Sequence, residues 1–514
     1  MDDREGLKAG SNGANRQANE ALGTSPLRMQ TGVEGLDDIL GGGIPQGHLY
    51  LLEGDPGTGK TTVGLQFLLQ GARNNERVAY VTLSESRQEI NQVAESHGWS
   101  LDGVNICEIA MSEDEIDAEA QYTVFHPSEV ELADTMTAIL QQVDAIEPQR
   151  VVFDSLSELR LLARDPLKYR RQILALKRHF SGKNCTIFLL DDRAASTDGQ
   201  LQSIAHGVVI MQSLERDFGI KRRRIEVRKL RGSAFREGYH DYTITTGGVS
   251  VYPRLVAAEH RPGFMRRVVP SGIKELDQLF GRGLDSGTSS LFMGPAGCGK
   301  STVALNYAAE AARRGEKALF FAFDESVQTL VDRASGLNMH LDSLLESGLL
   351  EIKQVDPAEL SPGEFVTEVR RCIETANLQV LVIDSMNGLM NAMPHEQFLA
   401  LQLHELLTYL AQHGVATILT MAQHGFVGNM DSPVDVSYLA DTVLLFRYFE
   451  YAGEIRQALS VIKKRSGTHE RTIRELKFGD GSFSVGAPLK NFMGVLTGVP
   501  RPTGQLKMEN SAES

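Results

Sequence analysis

Short apolar runs alternate along the chain with longer stretches whose apolar residues recur at helical spacing. In the first half HLYLLEG, VAYVTLSES, RVVFDS, CTIFLLDD and GVVIMQS are compact, β-rich runs. Between them TTVGLQFLLQGARN and LKYRRQILALKRHF carry apolar residues three and four apart, as amphipathic helices do. Strands alternating with helices predict an α/β fold whose central, mainly parallel sheet is covered on both faces. Later in the same half IEVRKL, HDYTIT and GVSVYP are short strands joined by glycine turns, which predicts an antiparallel edge.

The whole pattern is written twice. Residues 31–62 (TGVEGLDDILGGGIPQGHLYLLEGDPGTGKTT) and 271–302 (SGIKELDQLFGRGLDSGTSSLFMGPAGCGKST) match at a constant offset of 240. RVVFDSLSEL (150–159) corresponds to VLVIDSMNGL (380–389), and IEVRKLRGSAFREG (225–238) to LSVIKKRSGTHERT (459–472). A period of that length is a duplicated domain, not a solenoid repeat. The expected organisation is a disordered polar tail over 1–29, a first domain over 30–255, a linker near 254–264, a second domain over 256–495 and a flexible tail over 496–514.

Bulk properties narrow the function classes. At 514 residues each half can bury its own core. The four cysteines, Cys107, Cys185, Cys298 and Cys372, form no CxxC pair, so neither a disulfide framework nor a zinc site is expected. No apolar stretch reaches membrane-spanning length and the N-terminus has no signal-peptide core, which together point to the cytoplasm and to no membrane partner. A net charge of −14 weighs against a protein that coats nucleic acid.

Two segments fit G-x-x-x-x-G-K-[ST], each after an apolar strand and at the start of an amphipathic helix. The first is Gly54, Asp55, Pro56, Gly57, Thr58, Gly59, Lys60, Thr61 and Thr62. The second is Gly294, Pro295, Ala296, Gly297, Cys298, Gly299, Lys300, Ser301 and Thr302. Glycines let such a loop curl its N–H groups inward around phosphate oxygens, and the helix N-terminus adds positive charge. Lys60 and Lys300 are placed to reach the β- and γ-phosphates of ATP. A glycine-rich turn with a surface lysine explains one such match; two in the same context leave that reading little weight.

Other candidates follow from position. Asp154 and Asp384 each end a central apolar run, where a carboxylate suits Mg²⁺ together with the Thr61 or Ser301 hydroxyl; a helix-capping role is the rival. At the end of the next strand Glu85, Asp324 and Glu325 are candidates to orient the attacking water, with Glu85 and Glu325 lying 25 residues beyond the lysines; a solvated carboxylate starting the next helix is the rival for Glu85 and Glu325. Lys229 and Arg231, and Lys463 and Arg465, either neutralise γ-phosphate charge from a neighbouring subunit or are solvated edge-strand cations.

The duplicated T/S-G-[IV]-x-x-L-D pattern before each phosphate loop, with the ending ADTVLLFRYFEYAGEIRQALSVIKKRSGTHERTIREL (440–476), resembles the KaiC branch of the RecA superfamily over roughly 30–500. The resemblance implies two tandem RecA-like ATPase domains in a hexamer of stacked rings, with ATP and Mg²⁺ between subunits. It also implies that Lys229, Arg231, Lys463 and Arg465 act on a neighbour's nucleotide, that the first ring is chiefly an ATPase and that the second is an autokinase. Protein partners in signalling or timing come with it. The chain departs from the family's Glu-Glu pair at Ser84-Glu85 and at Asp324-Glu325. The family's Ser-Thr phosphosite falls on Ser437-Tyr438, so Ser437 is a candidate acceptor, with interface packing as its rival. Two readings from other classes stay open: a DNA-dependent recombinase-like ATPase, separable by stimulation with single-stranded DNA, and a scaffold stabilised by ATP with little hydrolysis, which Ser84 favours.

Overall fold

The computed structural model describes residues 27–108, 127–163, 165–192, 199–215, 219–260, 262–356, 358–391, 399–423, 438–479, 481–497 and 501–502. The chain divides into two units, the first running to Pro253 apart from the short segment Arg216–Ile220, which groups with the second, and the second continuing from Arg254.

The first unit is built on β1 (Leu49–Gly54), β2 (Val78–Thr82), β3 (Val104–Glu108), β4 (Arg150–Asp154), β5 (Thr186–Asp192), β6 (Gly207–Leu214), β7 (Arg222–Leu230), β8 (Tyr239–Thr245) and β9 (Gly248–Tyr252). They form one nine-stranded sheet in the order β3-β2-β4-β5-β1-β6-β7-β8-β9. Pairing is parallel from β3 through β6 and antiparallel from β6 to β9. Helices α1 (Lys60–Arg73), α2 (Arg87–Ser96), α3 (Pro127–Ile146), α4 (Leu156–Ala163), α5 (Pro166–Phe180) and α6 (Gly199–Ile204) complete it.

Alternation along each central strand feeds two cores. Tyr50 and Leu52 of β1 and Val78 and Tyr80 of β2 pack with α1, while Leu49, Leu51, Ala79 and Val81 pack with α3, α4 and α5 on the other face. That is why these strands read as unbroken apolar runs. The helix starts have local causes: Ser86 and Glu89 form a reciprocal capping box on α2, and Asp165 caps α5 ahead of Pro166.

The second unit repeats the plan with β10 (Ser289–Gly294), β11 (Ala318–Ala322), β12 (Leu350–Gln354), β13 (Val380–Asp384), β14 (Ala416–Ala422), β15 (Thr442–Tyr451), β16 (Glu454–Lys464), β17 (Arg474–Gly479) and β18 (Ser482–Pro488). Its order, β12-β11-β13-β14-β10-β15-β16-β17-β18, is the same. Here α7 (Lys300–Arg313) and α8 (Val327–Gly336) take the places of α1 and α2, and α9 (Pro362–Ala376) and α10 (Leu399–Gln412) cover the opposite face. The architecture is thus two tandem RecA-like sheets.

Three short features fall inside segments read from sequence as tails or linker. Arg28–Met29 pairs antiparallel with Ile44–Pro45, so order begins ahead of residue 30. Leu255 and Ala257, within the expected linker, are buried in the second unit's core. Phe492–Met493 pairs with Arg501–Pro502 beyond residue 495. Each involves two or three residues, too few for periodicity to register. Residues 1–26 and 503–514 lie outside the described residues.

Candidate nucleotide sites

Each phosphate loop leaves the C-terminal end of a strand flanked on both sides by parallel neighbours, one strand in from where the antiparallel extension begins. The turn into α1 needs Gly59 at φ 91°, and the turn into α7 needs Gly299 at φ 98°, backbone that a side chain resists. In the first loop Lys60 Nζ donates to the Gly54 carbonyl at 2.8 Å and pairs with Asp192 Oδ1 at 2.9 Å. Tyr242 donates to the Thr58 carbonyl at 2.7 Å, tying β8 to the loop. In the second, Lys300 Nζ donates to the Pro295 carbonyl at 2.6 Å, and Tyr448 donates to the Ala296 carbonyl at 3.1 Å. Ala422 pairs with Gly294 as Asp192 pairs with Gly54, so Lys300 has no carboxylate from that strand position. Both lysines are buried, as are Thr62 and Thr302 just behind them.

The hydroxyls after the lysines meet the strand-end aspartates. Thr61 Oγ1 donates to Asp154 Oδ2 at 2.7 Å, and Tyr80 donates to the same oxygen at 2.5 Å. Ser301 Oγ donates to Asp384 Oδ1 at 3.0 Å, and Thr420 bonds the same carboxylate. Burial raises the Asp384 carboxyl above the ordinary range, against hydrogen bonds from Thr420 and Ser301 that lower it. Tyr80, Asp192 and Thr420 carry no motif of their own; parallel strand register alone brings them here.

The water-orienting candidates lie beside these aspartates, because β2 pairs with β4 and β11 with β13 in register at Thr82–Asp154 and Ala322–Asp384. Glu85 is half-buried, and burial, Asp154 and Glu89 raise its carboxyl above the usual glutamate range. Its Oε2 is buried and has no partner among the described residues. Asp324 Oδ2 accepts from Ser385 Oγ at 2.5 Å. Glu325 is held by both terminal nitrogens of Arg333, at 2.8 and 2.6 Å.

The basic residues lie elsewhere. Lys229 pairs with Val208, which is level with Leu51 in the first half of β1, and Arg231 bonds His206, which bonds Leu49 at the start of that strand, the end opposite the phosphate loop. Lys463 stands likewise level with Leu291 through Val443. Lys229 Nζ donates to the Gln202 and Ala205 carbonyls and Arg231 to that of Ser203. Lys463 donates to the Ala440 carbonyl and Arg465 to that of Tyr438. The carbonyls named here all lie outside the phosphate loops. Ser437 lies outside the described residues.

Two phosphate loops at the strand ends of two RecA-like sheets, each with a hydroxyl and an aspartate behind its lysine, define a tandem P-loop ATPase. A family model described as "ATPase: KaiC" matches residues 29–256 and again 269–489. The chain is 28% identical over 511 residues to the circadian clock oscillator protein KaiC of Prochlorococcus marinus, covering 94% of this chain and 98% of that one. It is 27% identical over 482 residues to the KaiC of Picosynechococcus sp., covering 92% of each. The circadian clock protein KaiC3 of Synechocystis sp. is 25% identical over 497 residues, covering 94% of this chain and 96% of that protein. The chain belongs to the KaiC ATPase family.

Proposed function

We propose that the protein is a ring-forming, ATP-hydrolysing member of that family, with each nucleotide completed by a neighbouring subunit. The observation that carries this is the placement of Lys229, Arg231, Lys463 and Arg465 at the sheet end remote from their own loops. A cation meant for γ-phosphate serves from there only across a subunit interface. A closed cyclic assembly, a hexamer by family likeness, gives every loop such a neighbour.

Within each site the loop's inward N–H groups and its lysine bind the triphosphate. The Thr61–Asp154 and Ser301–Asp384 pairs offer hard oxygen donors that fit Mg²⁺. Among the described residues no group of three His, Cys, Asp or Glu is arranged to hold a metal ion by itself, so these pairs would hold it together with the nucleotide. The ion's role there is to neutralise charge on the phosphates. Glu85 in the first unit, and Asp324 or Glu325 in the second, orient the attacking water and take its proton. No helix among the described residues is long and apolar enough to cross a membrane, and we assign the protein to the cytoplasm, in signalling or timing with protein partners. Serine autokinase activity of the second unit, with Ser437 as acceptor, belongs to the same proposal. Intact mass after incubation with Mg-ATP tests it, one added phosphate per chain being expected and none overturning it.

Subunit mixing tests the ring. A chain lacking both loop lysines (Lys60→Ala, Lys300→Ala) and one lacking both arginines (Arg231→Ala, Arg465→Ala) are each expected to be inactive alone. Mixed, they pair an intact loop with an intact arginine at about a quarter of randomly formed interfaces, and turnover returns accordingly. A mixture no more active than its parts overturns the trans arrangement.

A further inference from the structure

We infer that Arg333 is a positioning residue that withholds Glu325 from the second unit's reaction and leaves the water-orienting role to Asp324. The inference rests on the ATPase reading above and concerns which of two adjacent carboxylates does the work.

Asp324 is set toward the site from two sides. Ser385, next to the strand-end Asp384, donates to Asp324 Oδ2 at 2.5 Å. Gly388 leaves the room it occupies, since a Cβ there would stand 2.9 Å from Asp324 Oδ1 and 2.5 Å from the Phe323 Cβ. Glu325 is held differently. Arg333, two turns along α8, grips both of its oxygens at 2.8 and 2.6 Å, a bidentate, charge-assisted clamp that takes a lone pair on each oxygen, fixes the carboxylate's orientation and lowers its basicity toward a water's proton.

The first unit supplies the contrast. Ser86 and Ser326 cap α2 and α8 alike, so the offset of 240 still holds there and places Val93 where the second unit has Arg333. Val93 packs against the first unit's apolar core and brings no charge, and Glu85 keeps a buried oxygen without a partner among the described residues. Where Asp324 stands, the first unit has Ser84. Each unit therefore presents one carboxylate not held by an arginine, the second of the pair in the first unit and the first of the pair in the second. In either, the water oxygen bonds to the γ-phosphorus and the bridging P–O bond breaks with its electron pair going to ADP. The water's proton passes to the presented carboxylate.

The test transplants the first unit's arrangement into the second. In full-length protein carrying Lys60→Ala, so that turnover reports the second unit, Asp324→Ser is expected to lower kcat about 100-fold while ATP affinity holds. Adding Arg333→Val frees Glu325 and is expected to restore kcat at least about tenfold without changing affinity; a further Glu325→Gln removes the gain. Arg333→Gln, which keeps the length and polarity of the side chain, serves if the valine variant fails to fold. Failure of both Arg333 substitutions to rescue Asp324→Ser overturns the proposal, and so does a rescue that survives Glu325→Gln. A Lys60→Ala parent that neither binds nor hydrolyses ATP sinks the ATPase reading and this proposal with it. A working parent without rescue sinks this one alone.

Discussion

Removing the two loop lysines one at a time separates the units and tests the structure's account of their difference. A charge-assisted hydrogen bond from a buried lysine to phosphate is worth about 1.5–3 kcal/mol, so Lys300→Ala should weaken its site by about 10- to 150-fold. Lys60→Ala should weaken its own site further. In the first unit Asp192 pairs with Lys60 at 2.9 Å, and once the lysine is gone its carboxylate faces the incoming phosphates unneutralised. Two like charges about 4 Å apart in a water-like medium repel by about 1 kcal/mol, roughly another fivefold. Water does screen this site, because the Asp192 side chain is 44% exposed. The second unit has Ala422 at that strand position and pays no such penalty. Calorimetric titration with a non-hydrolysable ATP analogue should count two sites in the parent and one strong site in each variant. Asp192→Asn on the Lys60→Ala background should regain about fivefold. Two undiminished sites in either variant would refute the phosphate-loop assignment, and equal weakening in both units would refute the role given to Asp192.

Two further outcomes follow from the first unit. Arg150 is 1% exposed and held by Glu76 at 2.5 Å and by the Gln30 and Phe67 carbonyls, so Glu76→Gln leaves a buried guanidinium short of its counter-charge. Denaturant unfolding should show a loss of about 3 kcal/mol, confined to the first unit because Val380 holds the matching strand position in the second; a loss under about 1 kcal/mol contradicts this. The Glu85 carboxyl is raised by burial, Asp154 and Glu89, so its contribution to stability is whole below the ordinary glutamate range and is lost as pH rises through the raised folded value. Glu85→Gln, neutral throughout, should therefore raise the first unit's Tm relative to the parent at pH 8 and not at pH 4. A Tm difference that is the same at both values refutes the shift.

The linear order of residues determined the duplicated α/β plan and both phosphate loops, because these are local. A buried strand must be apolar, a helix facing it must repeat every three or four residues, and a loop that curls around phosphate must carry glycine at fixed places. Gly59, Lys60 and Thr61 announce themselves within a few positions of one another. What only the folded chain decided involves partners far apart in sequence. Parallel pairing of β1 with β5 sets Asp192 on Lys60, and pairing of β2 with β4 sets Tyr80 on Asp154. Antiparallel return of β7 and β16 carries Lys229 and Lys463 away from the phosphate loop of their own unit. The same holds for Glu85 and Glu325, indistinguishable as letters after a strand. One keeps an unpartnered oxygen and the other is clamped, because a position on the following helix is valine in one unit and arginine in the other. A carboxylate's chemistry depends on what stands within a few ångströms of it, and that distance is set by strand register and helix phase.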